Sequence, residues 1–446
     1  MAQPQTIVSE RSTRPAKTHR GAQGERLLAG MIAAANRDGY AGASVSRVVA
    51  HAGVSRPTFY ECFADKDDCF LATHRDIAQH VLEQIRRAVE EAPPEQALQA
   101  AIRELIQRAE TDPAQAQFLV NETMAGGPRA LDERDRTITR MEQIIEKARA
   151  EVAPEVPTPD LPSRAVIGGV CWLLSPHLRR GKHDLTELTD ELIGWIEGYE
   201  LPAGEHRWRT LEPGPPPSPS PYVSELALKA PPPIPSGRSR LSSEEVFRNQ
   251  RERILYATAD AAARNGYTAT TITDITTTAS VDRRVFYAHF ADKQQAFLAV
   301  HELGFQQTMA VGAGAFFSAG EWPERIWQGV LAVSQFHATL PTIAHIGFVE
   351  SHAVGATAIG RIDDNRQAFT IFLQEGNQHT TQPQSRTAME AITAAIFEIG
   401  YQQCRHGRAR QLPRLAYHAT YLALAPFLGG GAANEYLDGK LREGRT

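Results

Sequence analysis

Residues 56–66 read RPTFYECFADK, and residues 283–293 read RRVFYAHFADK. The two stretches belong to a longer repeat, in which residues 39–74 align with residues 266–301 without a gap. Fifteen of these 36 aligned positions are identical. A repeat at this separation indicates that one structural unit occurs twice, once near the start of each half of the chain.

A proline-rich stretch separates the two copies of the repeat. Residues 202–237 hold 11 of the 28 prolines. Proline lacks the amide hydrogen and clashes with the preceding helical turn, so this stretch is predicted to be a partly extended linker. The chain of 446 residues is therefore expected to contain two similar halves of about 200 residues each.

The repeat predicts three short helices in each copy. Gly39-Tyr40 is expected to end the first helix, because glycine accepts a left-handed backbone. Ser44 and Thr271 are suitable N-caps for the second helix. The stripe that predicts the first helix comprises Leu27, Leu28, Met31, Ile32 and Ala35.

A tight turn is predicted between the second and third helices. Gly53 supplies its left-handed residue in the first copy, whereas Ser280 occupies that place in the second. The second turn is therefore expected to be strained or differently built. Ser55 and Asp282 are expected to cap the third helix. Four phenylalanines, four positions apart within each copy, are predicted to fill the core: Phe59, Phe63, Phe286 and Phe290.

Two helices joined by such a turn form a helix-turn-helix, whose second helix fits the DNA major groove and reads bases with its leading residues. The alternative, that the arginines there are merely solvated surface, stays open. Lys66 and Lys293 are predicted to contact phosphates at the start of the next helix. The predicted DNA-facing residues are Ser44, Arg47, Ser55, Arg56, Pro57, Thr58, Tyr60 and Lys66 in the first copy, and Thr271, Asp282, Arg283, Arg284, Val285, Tyr287, His289 and Lys293 in the second.

The segments SVSRVVAHAGVSRPTFYECFADKDDCFLA and TITDITTTASVDRRVFYAHFADKQQAFLA resemble the TetR family of transcriptional regulators. The resemblance covers about a quarter of the chain and implies a helical ligand-binding and dimerisation body after each copy. It also implies a double-stranded DNA operator, a small-molecule effector and a role as repressor. Two departures count against DNA contact: Cys62 stands where the family often has histidine, which His289 retains, and Asp282 places an acid near the groove.

The expected fold class is all-α, with two tandem TetR-like units that form a pseudo-dimer. In it the late helices of the two bodies, about 163–200 and 385–426, pack into one bundle. The predicted domains are a basic arm at 1–20, a first helix-turn-helix domain at 21–68, a first body at 69–201, a linker at 202–240, a second helix-turn-helix domain at 241–295 and a second body at 296–440.

The bodies contain aromatic residues that either line ligand pockets or belong to the bundle core. The candidates are Phe118, Trp172, Trp327, Phe336, Phe348 and Phe369. Sequence alone leaves both interpretations open and does not identify a ligand.

The composition argues against several other classes of protein. Charged residues make up 22% of the chain, and no apolar run is long enough for a membrane span. Four scattered cysteines without a CxxC pattern indicate a reducing cytoplasm and no zinc site. No catalytic motif is present, so an enzyme, a cofactor and a bound metal are not expected. The net charge of −5 conceals two basic regions, +3 over residues 1–75 and +2 over residues 236–301, and both contain the repeat.

These observations predict a DNA-binding regulator with two unlike readers in one chain, either a monomeric pseudo-dimer or a homodimer of it. Pro57 faces Arg284 and Thr58 faces Val285 in the alignment, so an asymmetric operator is expected, with a guanine preferred by Arg283 and Arg284. The main alternative is a helical ligand-binding or scaffold protein whose DNA binding is weakened or lost.

Overall fold

A computed structural model describes residues 21–182, 184–201, 208, 230–234 and 241–443, apart from the side chains of residues 356–358. The predicted basic arm and most of the proline-rich linker lie outside these described residues. In the described part, no helix is long and apolar enough to cross a membrane.

In its described residues, the first half has ten α-helices, a 3-10 turn at Pro94–Gln96 and one pair of two-residue strands. Strand β1 (Thr158–Pro159) pairs antiparallel with β2 (Glu200–Leu201). A π-helical stretch at Phe118–Glu122 follows α6. The helices are α1 (Ala22–Gly42), α2 (Val45–Ala52), α3 (Arg56–Cys62), α4 (Lys66–Glu91), α5 (Ala97–Thr111), α6 (Pro113–Gln117), α7 (Thr123–Ala125), α8 (Pro128–Arg149), α9 (Ser163–Arg179) and α10 (Thr186–Glu197).

The second half repeats this order of elements. Single 3-10 turns cover Glu350–Val354, Phe369–Phe372, Gln374–Gln378 and Ala409–Leu415. The helices are α11 (Ser243–Asn265), α12 (Ile272–Ala279), α13 (Arg283–His289), α14 (Lys293–Ser318), α15 (Trp322–Thr339), α16 (Pro341–Phe348), α17 (Ala356–Ala368), α18 (Arg386–Arg405), α19 (Ala416–Leu428) and α20 (Gly430–Glu443). The all-α prediction is confirmed, although the sequence reading did not include α20.

Long helices connect each helix-turn-helix to its body. Helices α4 and α14 each have 26 residues and begin at the two lysines of the repeat. They run without interruption past residues 68 and 295, where the sequence placed domain boundaries. One continuous helix therefore belongs to both the helix-turn-helix and the body of each half.

The two halves meet along α9 and α18, as the predicted late-helix bundle requires. Gly168 and Gly169 allow the close approach, because a Cβ on Gly168 would overlap Glu398 and one on Gly169 would lie 3.0 Å from the Ala395 amide nitrogen. Apolar residues of α9, α10, α18 and α19 belong to a single buried cluster. The predicted pseudo-dimer is confirmed.

A buried ion pair crosses this interface. Arg134 on α8 donates to both carboxylate oxygens of Glu398 on α18, at 3.3 and 2.8 Å. The indole nitrogen of Trp172 on α9 donates to the same carboxylate at 2.8 Å. Burial acts to lower the pKa of Arg134, but Glu398 more than offsets it and holds that pKa above its usual value. The first half thus supplies the cation and the second half the anion.

Candidate nucleic-acid interface and ligand cavity

The third helices of the two copies, α3 and α13, begin differently. Ser55 caps α3 by accepting a hydrogen bond from the Thr58 amide at 3.2 Å, as the sequence predicted. Asp282 occupies the same place before α13, but its side chain makes no capping bond. The prediction that Asp282 caps its helix is therefore wrong, and the carboxylate is left exposed beside the leading arginines.

The leading residues of both helices face outward. Arg56 is exposed and donates to the Ser46 hydroxyl at 3.0 Å. Arg283 and Arg284 are exposed and form no hydrogen bond or ion pair with any residue in the described ranges. On the same helices, the exposed fractions of Tyr60 and Tyr287 are 54% and 49%. Pro57 is exposed, whereas Thr58 and Val285 are half-buried.

The turn before each third helix, α3 or α13, is held by an arginine of the first helix of the same copy. Arg26 donates to the Gly53 carbonyl at 2.8 Å, and Arg253 donates to the Ser280 carbonyl at 3.4 Å. Gly53 has φ 61° and Ser280 has φ 48°, so both residues adopt the left-handed conformation. The second turn is therefore built like the first and carries the strain that the sequence predicted. Within the described ranges, Ser280 is the one residue other than glycine with positive φ.

The two lysines of the repeat are used inside the domain rather than presented to solvent. Lys66 donates to the Tyr40 carbonyl at 3.1 Å, and its ammonium lies 3.9 Å from the centre of the Tyr40 ring. Lys293 donates to the carbonyls of Tyr267, Thr268 and Thr270 at 2.9, 3.3 and 2.8 Å. An ammonium has three donors. Lys293 therefore has none left for the phosphate contact that the sequence suggested.

Several other predicted DNA-facing residues also have internal partners. Ser44 and Thr271 cap α2 and α12. Arg47 is half exposed and pairs with Asp38 at 2.9 Å. His289 does not face outward: Phe247 covers its ring at 4.0 Å, and both ring nitrogens are inaccessible to solvent. Burial lowers the pKa of His289. The predicted DNA contact of His289 stays a prediction, against which the inaccessible ring nitrogens count.

One glutamate in each body holds its helix-turn-helix. Glu122, in the π-helical stretch, accepts a hydrogen bond from the Tyr40 amide at 2.9 Å. Glu350, directly after α16, accepts one from the Tyr267 amide at 2.6 Å and lies 3.2 Å from His345 Nε2. Tyr40 and Tyr267 are equivalent positions of the repeat, so each reader is attached to its body at the same point. Sequence reasoning missed both glutamates, because they lie outside the aligned segment.

A cavity of about 230 Å³ lies inside the second body. Helices α14 to α19 enclose it, and α18 also forms the interface with the first half. Most of the lining is apolar, and the wall formed by α16 ends two residues before Glu350. The cavity wall therefore lies close in sequence to the glutamate that contacts the second helix-turn-helix.

The first body has a cavity of only about 70 Å³, between α4 and α9. Of the six predicted pocket aromatics, Phe348 and Phe369 line the large cavity and Trp172 lines the small one. The other three belong to the packed core instead. Phe118 packs against Phe70 with ring centres 4.5 Å apart, Phe336 is fully buried, and Trp327 packs on Tyr417 at 4.8 Å.

Each cavity contains the histidine that closes the repeat. His74 lines the small cavity and His301 the large one, and burial lowers the pKa of each to about 4. His337 also lines the large cavity, and its pKa is lowered to about 4 by burial. These rings are therefore neutral at pH 7. The identity of His74 and His301 in the alignment was a signal that could have placed them on the cavity wall.

The repeated unit is a helix-turn-helix domain, and the chain is therefore a protein of that class. The family model described as bacterial regulatory proteins, tetR family, matches residues 27–73 and 254–300. The chain therefore contains two TetR-type helix-turn-helix domains in tandem. No curated protein matches it.

Solved TetR-type structures each correspond to about one half of the chain. The fatty acid degradation regulator FadR from Bacillus halodurans is 17% identical, with 39% of this chain and 94% of that chain covered and a TM-score of 0.37. A tetR-family regulatory protein from Rhodococcus RHA1 is 23% identical, with 40% and 96% covered and a TM-score of 0.33. FadR from Bacillus subtilis, in complex with stearoyl-CoA, is 16% identical, with 39% and 96% covered and a TM-score of 0.34.

Proposed function

We propose that this regulator reads an asymmetric DNA operator with two unlike recognition helices, α3 and α13, and that a small molecule in the second-body cavity controls the reading. The observation that carries the proposal is that two exposed arginine-bearing helices belong to one chain whose halves share a buried interface. Repression by occupancy of the operator is the simplest outcome of such binding.

The residues proposed to read bases are those left free at the leading edges. Arg283 and Arg284 have no internal partners in the described part of the chain, so their guanidinium groups are available for guanine, which arginine contacts with two hydrogen bonds. Arg56 is exposed, but it already donates a hydrogen bond to the Ser46 hydroxyl. Tyr60 and Tyr287 are positioned for phosphate contacts at the flank of each helix.

Control by a ligand requires different affinities for two arrangements of the readers. The cavity is enclosed in part by α14, which continues from the second reader, and by α16, which leads to Glu350. A ligand that moves α16 would shift the Tyr267 amide and so the start of α12. The same cavity adjoins α18, through which the first half can respond.

Electrophoretic mobility shift with genomic DNA fragments, at about 50 and about 200 mM salt, tests DNA binding itself. Replacement of Arg56 or of Arg283 by alanine is expected to weaken specific binding by about tenfold or more, since a bidentate base contact contributes about 1–3 kcal/mol. Arg87→Ala on α4, where the side chain is 66% exposed and pairs with Glu83, is the matched control. Equal effects of the three substitutions would contradict the proposal.

A second function is favoured by one specific observation. Asp282 is exposed beside Arg283 and lacks a capping bond, so its negative charge opposes the approach of a phosphate backbone to α13. In this alternative the second half serves only ligand binding or scaffolding. Loss of affinity with Arg56→Ala together with no effect of Arg283→Ala would support it.

A further inference from the structure

The cavity of the second body adjoins a buried positive charge that the protein leaves partly uncompensated. Arg366 on α17 lines the cavity and is 8% exposed. Its Nη2 donates to the Trp172 carbonyl at 3.2 Å and to Asp363 at 3.3 Å. Its Nη1 is inaccessible to solvent and has no hydrogen-bond partner among the described residues. A buried donor without an acceptor costs about 1–3 kcal/mol.

The charges around Arg366 do not balance. Asp363 is shared between Arg366 and Arg179, so two guanidinium groups depend on one carboxylate. The next carboxylate, Glu390, already pairs with Arg386 at 2.9 Å. One positive charge therefore remains without a counter-charge beside the cavity.

Arg134 provides the contrast within the same interface. Both guanidinium groups are buried, but Arg134 donates to both oxygens of Glu398, which pairs with no second cation among the described residues, and the pKa of Arg134 is raised. The pKa of Arg366 is lowered, because burial outweighs the attraction of Asp363 and Glu390. Arg134 therefore has a full counter-charge in the folded protein, whereas Arg366 does not.

A second donor near Arg366 also lacks an acceptor. The side-chain nitrogen Nδ2 of Asn365, another lining residue, is buried without a partner among the described residues. The remaining wall is rich in phenylalanine, including Phe305, Phe348 and Phe369. The cavity lining therefore includes two residues with unpartnered N–H donors, one of them positively charged, and most of the remaining lining is apolar.

We infer that the second-body cavity binds a small apolar carboxylate, whose anionic end is held by Arg366 and Asn365 while its apolar part fills the phenylalanine-lined space. This inference rests on the proposed function, since it names the class of its effector. An apolar cavity of about 150 Å³ holds benzene, so about 230 Å³ accommodates on the order of ten non-hydrogen atoms. The Trp172 carbonyl bonded to Arg366 belongs to the first half, so the same guanidinium contacts both halves.

Calorimetric titration of the full chain with octanoate, 1-octanol and octylamine, without DNA, tests the inference. The three probes have the same chain length but an anionic, a neutral and a cationic end. Octanoate is expected to bind at least about tenfold more tightly than 1-octanol, since a charge-assisted hydrogen bond contributes that much. Equal or weaker binding of octanoate would overturn the inference.

Two variants separate charge from shape. Arg366→Gln is expected to remove the preference for octanoate over 1-octanol, whereas Ser334→Leu, which fills the cavity from α15 and leaves Arg366 unchanged, is expected to weaken binding of both. If Arg366→Gln does not fold, the Arg366→Lys variant and the probe series in the unchanged protein still test the inference. Octanoate binding that is unchanged in Arg366→Gln overturns the inference.

A parallel mobility shift distinguishes this inference from the proposed function. Sequence-specific DNA binding without any preference for octanoate would support the proposed regulator function and contradict the carboxylate site. A preference for octanoate, with no DNA fragment bound by the protein, would support the carboxylate site and contradict the proposed regulator function.

Discussion

The two halves agree where the helix-turn-helix is held together and differ where it faces outward. Both copies use an arginine to hold the turn, a lysine against a tyrosine, and a glutamate from the body on that tyrosine's amide. In contrast, Pro57 and Thr58 of α3 correspond to Arg284 and Val285 of α13. The same scaffold thus presents two different outward surfaces, which is consistent with the proposed recognition of an asymmetric site.

The bodies differ more than the readers do. The second body encloses about 230 Å³ and the first about 70 Å³. At the interface the first half supplies Arg134 and the second half Glu398. The halves are therefore not interchangeable, and one of them has the space for a ligand.

The largest expected effect concerns this unlike pairing at the interface. Glu398→Gln leaves Arg134 buried without a counter-charge and is expected to lower the free energy of unfolding by about 3–5 kcal/mol. Denaturant unfolding followed by circular dichroism measures this loss. The exposed pair of Arg86 and Glu83, with 43% of each side chain exposed, is the control, and Glu83→Gln is expected to leave the free energy of unfolding nearly unchanged.

The double variant Arg134→Met with Glu398→Leu sharpens this test. Removal of both charges together avoids an unpaired buried ion, so most of the stability lost in Glu398→Gln should return. A double variant as unstable as Glu398→Gln would mean that packing at the α9–α18 contact, and not the charge, determines the loss.

The second comparison is the response of the halves to acid. In the second half, burial lowers the pKa of His301 and His337 to about 4 and that of His352 to about 3. In the first half, burial lowers the pKa of His74 to about 4. The unfolded-state pKa is about 6.5. The stabilisation is therefore complete above pH 6.5 and is lost as the pH falls towards 4, by up to about 3 kcal/mol for each ring.

Hydrogen exchange at several pH values, read separately for each half, checks this expectation. The second half should open first between pH 6.5 and 4. His337→Gln should flatten its pH dependence, whereas the exposed His80→Gln should not. Simultaneous opening of both halves over this range would contradict the assignment.

The glutamate tethers give a matched pair of variants. Glu350→Ala is expected to release the Tyr267 amide, and Glu122→Ala the Tyr40 amide, each at a local cost of about 1–3 kcal/mol. Only Glu350→Ala should also reduce the effect of a cavity ligand on DNA binding, because Glu350 follows the cavity wall. Faster exchange of the freed amide measures the first effect. If the effect of the ligand on DNA binding is unchanged in Glu350→Ala, Glu350 does not couple the cavity to DNA binding.

The smallest effect is expected at the turn before each reader. Ser280→Gly relieves the left-handed serine and should stabilise the second copy by about 1 kcal/mol. Gly53→Ala should destabilise the first copy, because the new Cβ would lie 2.7 Å from the Arg26 guanidinium nitrogen. Thermal unfolding of both variants reports the opposite signs. A destabilising Ser280→Gly would show that the serine has a role beyond the turn.

The sequence predicted the helix-turn-helix units, the capping residues Ser55 and Thr271, and the late-helix bundle, because helical periodicity and N-caps are local properties. It did not predict the inward positions of Lys293 and His289. Those depend on carbonyls of the preceding loop and on Phe247, which are brought near by tertiary packing.

The cavity could be anticipated only in part. Aromatic residues in a helical body look alike in sequence whether they fill the core, as Phe336 does, or line a space, as Phe348 does. The excess charge at Arg366 was equally hidden, because it depends on the sharing of Asp363 with a residue from the other half.

Selection of bound DNA from a random pool by the full chain tests the central claim most directly, because it reads both recognition helices at once. We expect a site with two unlike halves, and a guanine preferred in the half that is lost when Arg283 and Arg284 are replaced by alanine. A palindromic site, or a pool that remains unenriched after repeated rounds, would contradict it.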